Sequence, residues 1–352
     1  MESIVSIRIR NARIQHLLSL QQVADSVGVS KQMISKYEQG KVIPNSQKLI
    51  SLGKLFNKKI DYFFSEPEIK LGEINFRKKN KFSKKKVDAL KEEIRVQIEN
   101  YLFVENICSL NTVFKNPIAN RLINNKHDVV NAVHYIREVW QIGNDTIHNI
   151  IELLEDNEVK VIEVNDDTMQ FDGLATKIDN KYYVVVINKN MPIERKRFTL
   201  LHELGHLLLN LNNIEEKDVE KYCNWFASEM LLSTENIMIE FGKKRKSITV
   251  EELKNVQSKY GISIKAIVYI LSEVEIISQE KVVSFYKNVN AKPSLKNEID
   301  SSRFNGNETS IRFENLVYRA LSEEIISISK ASTLLNTSLE HLRQNLLAIN
   351  IC

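Results

Sequence analysis

Residues 195–211 read RKRFTLLHELGHLLLNL, and this segment constrains the chain more than any other. Its apolar residues recur at three- and four-residue steps, the period of an α-helix. Leucines on both sides of HELGH require that helix to lie inside a domain rather than on its surface. His202 and His206 stand four apart, so on a helix both imidazoles project from one face and can bind one metal ion. Glu203 sits beside them without being a ligand, placed to take a proton from an attacking water and return it to a leaving nitrogen. A structural site would need a fourth protein ligand, whereas a catalytic one needs a third and an open position. The third has to come from elsewhere. On the next helical segment, about 216–232, Asp218, Glu220 and Glu229 are candidates. Trp225, Phe226, Met230 and Leu231 mark its buried face, and adding Cys223 and Ala227 makes Glu220 and Asn224 neighbours at the margin. Helical geometry leaves Glu220 and Glu229 both open.

The helical period breaks ahead of this segment. KVIEVND and KYYVVVINK are short, rich in Val, Ile and Tyr, and bounded by Asn, Asp and Gly, so they read as strands. The edge of the second, 181–188, is expected to hold an extended peptide by β-addition. Helical patterning in VVNAVHYIREVWQIG and TIHNIIELLEDN precedes the strands, and the pattern beyond Ser247 is helical almost to the end. The α+β part is thus confined to about 100–240. The expected organisation is a first domain at 1–65, a charged linker at 66–95, a mostly helical α+β domain at 96–245 and a helical region at 246–352.

The first 64 residues carry ten Lys/Arg against four Asp/Glu, an imbalance that suits a polyanion-binding module. Their short helices fit that role. In SLQQVADSVGVSKQMISKYEQGKVIPNSQKLISL, Ala24 is small where two helices cross, Gly28 allows a left-handed turn, and Ser30 can cap the helix that follows. Ile34 packs inward from that helix, leaving Lys31, Gln32, Ser35 and Lys36 to face base edges and phosphates in a major groove, with Gln32 best placed for a base. The run RKKNKFSKKK, Arg77–Lys86, reads as a solvated linker. No internal repeat is evident, although GVS at 28–30 and NTS at 336–338 sit in similar contexts. Ala331, Leu334, Leu335, Thr337, Ser338 and Leu342 suggest a second helix-turn-helix-like unit. Apart from Arg343 its reading helix lacks exposed Lys or Arg, which favours packing or protein contact over DNA.

Residues 5–64 resemble the lambda-repressor-like (XRE-type) helix-turn-helix family, carried by the motif above and by KVIPNSQKLISLGKLFNKKIDYFF. The resemblance implies operator binding, usually as a homodimer, with the helix at 30–38 as the reading element. Leu20 departs from it, since many members carry a phosphate-contacting Gln there; Gln21 or Gln22 can substitute. RKRFTLLHELGHLLL followed by EKYCNWFASEMLLS is similar to the ImmA/IrrE metallopeptidases, in which a Glu four residues before an Asn supplies the third ligand. That position is Glu220. The resemblance implies a zincin-like fold of gluzincin type and cleavage or removal of a DNA-binding repressor of a mobile element or stress response. Ser233 departs from it, standing where members usually end the helix with Pro. The segments 250–271 and 312–346 resemble the C-terminal region of longer, fused members.

Together these readings give a DNA-binding regulator with endopeptidase activity. Its ligands are His202, His206 and Glu220, its catalytic residue is Glu203, and its DNA contacts are Gln21, Ser30, Lys31, Gln32, Ser35 and Lys36. Two histidines and a carboxylate suit zinc, and Mn²⁺ can occupy such a site. The expected partners are a double-stranded operator and a protein substrate, a repressor or toxin encoded nearby. The alternative is a repressor or antitoxin whose peptidase-like domain senses or binds without turnover. The oxyanion stabiliser is unassigned among His127, His134, His148, Tyr182, Tyr183 and Tyr222. Three widely spaced cysteines, Cys108, Cys223 and Cys352, give no disulfide framework and point to a reducing cytoplasm. Neither a signal-peptide core nor a membrane span of roughly 20 apolar residues is evident.

Overall fold

The computed structural model describes residues 3–64, 84–110, 112–167 and 171–346. The chain divides into two compact units, and the first contains both ends of it. It opens with α1 (Ile4–Gln15), α2 (Leu20–Val27), α3 (Lys31–Glu38), α4 (Ser46–Leu55) and a 3-10 turn at Ile60–Phe63. Each of the four helices begins with a side-chain oxygen accepting from a first-turn amide, supplied by Ser3, Ser19, Ser30 and Asn45. Gly28 takes φ 68° between α2 and α3, as the turn requires. Ile9, Ala12, Val23, Ala24, Ile34, Leu52, Phe56 and Phe63 fill the core. Arg13 grips both oxygens of Glu38, at 2.6 and 2.8 Å, and donates to the carbonyl of Leu18, tying α1 to the end of α3.

The expected linker ends early. Residues 65–83 lie outside those described, and with them most of the basic run, but from Lys84 the chain is a 24-residue helix, α5 (Lys84–Ile107), packed on α1. Its buried Ile94, Ile98 and Leu102 are interleaved with lysines and glutamates, which dilutes the apolar period in the sequence. Several of those carboxylates are drawn into the contact. Burial pushes Glu99 up to about 7 against the opposing pull of Arg8 and Arg95, and raises Glu92 and Glu93 as well. Arg8 lies 5.0 Å over the ring of Tyr62, whose phenol burial pushes up to about 12.

The second unit runs through α6 (Lys126–Val139), α7 (Ile150–Asp156), β1 (Lys160–Val164), β2 (Gly173–Ile178), β3 (Tyr182–Asn188), α8 (Ile193–Leu208), α9 (Glu216–Leu231), α10 (Thr234–Phe241), α11 (Val250–Tyr260), α12 (Ile264–Glu273), α13 (Gln279–Ala291) and α14 (Pro293–Asp300). The sheet has the order β1-β3-β2, with β1 parallel and β2 antiparallel to β3. This corrects the expectation of a free edge at 181–188. The run Val184–Ile187 is fully buried because β3 is the central strand, paired on both sides. Of the two outer strands beside it, β2 is GLATKI, whose glycine, alanine and lysine hide its strand character from the sequence.

On one face of the sheet Val185 and Ile187 share a core with Leu200, Leu201 and Leu204 of α8. The first half of α8 is held by charge. Arg197, with no exposed surface, donates to the carbonyls of Ile147, His148, Tyr260 and Gly261 and pairs with the buried carboxylate of Glu308. Glu308 in turn accepts from the amides of Ile150 and Ile151 in the first turn of α7. Burial lowers the Arg197 guanidinium and raises the Glu308 carboxyl. Glu194, also buried, accepts from Ser302 Oγ and the Arg303 amide, so the segment 301–310 is strapped along the start of α8.

The helical region expected at 246–352 is divided between the two units. Helices α11–α14 belong to the second unit, while α15 (Arg312–Ser322), α16 (Ile328–Leu334) and α17 (Leu339–Leu346) join the first. Val317, Ala320, Ala331 and Leu342 pack there with Val104 of α5 and Cys108 just beyond its end. The segment α16–α17 repeats the design of α2–α3 at a constant offset. Ser327 caps α16 as Ser19 caps α2, Asn336 takes φ 48° where Gly28 turns, Ser338 accepts from His341 as Ser30 does from Met33, and Leu342 is buried like Ile34. Among the described residues no helix is long and apolar enough to cross a membrane.

Candidate metal centre and DNA-reading face

Gly205, the glycine of HELGH, is what lets α9 reach the two histidines. A Cβ placed on it would meet Phe226 at 3.3 Å and the Cα of Cys223 at 3.4 Å, so a larger residue would push the helices apart. With α9 this close, His202 Nε2 lies 3.3 Å from Glu220 Oε2 and His206 Nε2 lies 3.4 Å from Glu220 Oε1. Ligand atoms from these three residues all fall within 4.8 Å of one another. Tetrahedral zinc with bonds of about 2.0–2.1 Å needs ligand-to-ligand edges of about 3.3–3.4 Å. The imidazole–carboxylate separations have that length, and two neutral nitrogens with one carboxylate are a donor set zinc accepts. The residues present therefore fit a divalent cation.

The outer ring nitrogens are engaged as well. His202 Nδ1 lies 2.9 Å from Asn224 Oδ1, and His206 Nδ1 lies 3.3 Å from the sulfur of Cys223. Glu203 stands outside this converging group, half-buried on α8. Against it lies Gly173, the first residue of β2, where a Cβ would come within 2.9 Å of Thr199 Cγ2 and 3.3 Å of Glu203 Cγ. The carboxylate is therefore flanked by a strand whose outer edge carries no ladder partner among the described residues.

The competing candidates go elsewhere. Glu229 is buried and accepts from the amide and hydroxyl of Thr234, closing the first turn of α10, with His134 3.5 Å away. Asp218 is not among the converging groups. The His148 carbonyl receives Arg197, and the Tyr222 hydroxyl donates to Asn124 O, so both contribute to packing. Cys223 and Gly173 carry no sequence signal for a site; only the approach of α9 and β2 to α8 brings them there.

On the N-terminal helices Lys31, Gln32 and Lys36 are exposed along α3, and Ser35 is partly exposed. Ser30 is exposed but spends its oxygen on the Met33 amide, and Ser35 accepts from Gln39. Gln21 donates to Asp25 one turn on. Gln22 closes a capping box with Ser19, which leaves Gln21 the freer of the two to reach a phosphate.

Comparison with known families agrees with these two regions. Residues 154–272 match the IrrE N-terminal-like peptidase domain, and residues 9–63 match a helix-turn-helix domain. The chain joins a helix-turn-helix domain to an IrrE-like domain. No curated protein matches it significantly. The IrrE-like match takes in the sheet, HELGH and Glu220 and ends in α12, so the strap at 301–310 lies beyond it. The helix-turn-helix match takes in α2 and α3 and ends at the 3-10 turn, leaving α5 and the second, C-terminal helix-turn-helix outside both families' bounds. The protein is thus a DNA-binding regulator with a peptidase-like domain.

Proposed function

We propose that the IrrE-like domain is a zinc-dependent endopeptidase, directed by the helix-turn-helix domain to an operator or to a repressor bound there. The observation that carries this reading is the convergence of His202 Nε2 and His206 Nε2 on one carboxylate, Glu220, with Glu203 beside them and outside the set. When bound, the metal supplies Lewis acidity that makes water a nucleophile at neutral pH. Glu203 takes the proton of the attacking water and delivers it to the departing amine, for which its half-buried position next to the ligand helix suits it. The scissile segment lies extended along the outer edge of β2, and Gly173 leaves the side of that strand towards Glu203 free of a side chain. Mn²⁺ could substitute for zinc without changing these roles. Gln32 reads a base, Lys31 and Lys36 contact phosphates or neighbouring bases, and Gln21, Ser30 and Ser35 border the same face. A second copy of the chain would supply the other half-site of a symmetric operator.

Tethering explains the fusion, since it raises the concentration of the peptidase near a DNA-bound target. The test incubates the protein with the repressor or toxin encoded beside its gene, with and without a chelator. A discrete fragment that disappears with chelator and with Glu203→Gln is expected, while Gln32→Ala weakens operator binding without affecting cleavage in solution. Equal regulation by Glu203→Gln with an intact target would overturn the peptidase reading in favour of a binding platform.

A further inference from the structure

One turn of α9, residues 220–224, meets the metal-binding helix at three points. Glu220 faces the two Nε2 atoms, while Cys223 and Asn224 meet the Nδ1 atoms on the far sides of the rings. Adjacent residues on a helix point about 100° apart, so the pair reaches the histidines from different sides. Cys223, with no exposed surface, meets His206 from within the core; Asn224, exposed, meets His202 at the rim. An imidazole that ligates through Nε2 must carry its proton on Nδ1, and a partner that accepts that proton sets both the tautomer and the ring angle. Asn224 Oδ1 is such an acceptor, as carboxylates and carbonyls are in many metal sites. For His206 the place is taken by a thiol.

We propose that Cys223 is a positioning residue of the metal centre, its sulfur accepting from His206 Nδ1 and turning Nε2 towards Glu220 as Asn224 turns that of His202. The inference rests on reading His202, His206 and Glu220 as metal ligands. Sulfur suits the position for two reasons. It packs with Phe226, Ala227 and Leu204 as a small apolar group would, whereas a carboxylate there would have to be desolvated completely. Its long C–S bond also spans the gap to the ring from a backbone already fixed by the Gly205 contact; a hydroxyl oxygen, on a shorter arm, would fall short of the 3.3 Å position. The same turn of helix therefore supplies one ligand and the orientation of the other two.

The test measures zinc affinity by competition with a chelating indicator, on the full chain. Wild type binds one equivalent, and His206→Ala loses it. Failure of either of these controls defeats the metal reading itself, and so is distinguishable from failure of the present inference. Cys223→Ala is expected to weaken zinc binding about tenfold, in the range typical of lost outer-shell partners. Cys223→Ser falls between it and wild type, and Asn224→Ala shows a loss like that of Cys223→Ala. In ¹H–¹⁵N spectra of the zinc-loaded protein, the His206 Nδ1–H signal exchanges slowly in wild type and fast in Cys223→Ala, a change that simple loss of packing would not produce. Wild-type zinc affinity in Cys223→Ala or Cys223→Ser, with an unchanged Nδ1–H signal, would overturn the assignment.

Discussion

Replacing Glu308 with Ala strips the counter-charge from Arg197, a guanidinium with no exposed surface in the first half of α8. Breaking a buried pair by removing one partner costs about 3–5 kcal/mol, because the remaining charge stays buried. Two local features act in opposite directions. The four carbonyls around Arg197 continue to accept from it, which softens the loss; the amides of Ile150 and Ile151 lose their acceptor, which deepens it. With about 2–4 °C per kcal/mol for a unit of this size, the expected fall in Tm is roughly 6–20 °C. The assay is thermal unfolding in the presence of a chelator, so that metal binding does not add its own stabilisation. The double variant Arg197→Met with Glu308→Leu should recover only the share of the loss that comes from the uncompensated charge, since the four carbonyls and two amides then lack their partners. A cost below about 1 kcal/mol for Glu308→Ala, or full recovery in the double variant, would show that the pair does not anchor α8 in the way described.

Two further outcomes follow from the geometry. Gly173→Ala should lower peptidase activity at least about tenfold with zinc affinity unchanged, because the new methyl meets Thr199, Val186 O and Glu203 but no ligand; equal activity would move the substrate away from β2. The contact of α5 with α1 should weaken as pH rises. Glu99, held near 7 when folded against its ordinary 4.5, contributes stability that is complete below about 4.5 and lost as pH rises through about 7. The raised Glu92 and Glu93 act in the same direction, facing Arg8, Arg95 and Lys58. After screening of the exposed part of the site, a loss of about 1–2 kcal/mol between pH 5 and pH 8 is expected in urea titrations. Glu99→Gln should flatten that slope, and an unchanged slope would remove Glu99 as its source.

The helix-turn-helix could be read residue by residue because its determinants are local. Ser30 caps the next amide but two, Gly28 turns the chain where it stands, and Ile34 points inward by period alone. HELGH is local in the same sense, since two histidines four apart share a face of any helix. The choice of Glu220 over Glu229 was not legible from period, because both lie on suitable parts of α9; it followed from family resemblance, and in the fold Glu229 is taken up by Thr234. The strand beside Glu203 was misplaced because the long apolar run of β3 has the strongest strand signal and for that reason belongs in the middle of the sheet.

What the sequence alone determined were the elements and groups whose partners lie within a turn or two along the chain: the caps, the helix after Ser30, the paired imidazoles. Only the tertiary structure decided which strand borders Glu203, that Cys223 lies against the His206 ring, that α5 carries the last three helices back to the first, and that Arg197 is answered by a carboxylate 111 residues away. Those contacts depend on how closely helices and strands approach, and that distance is set by the whole packed core rather than by any stretch of neighbouring residues.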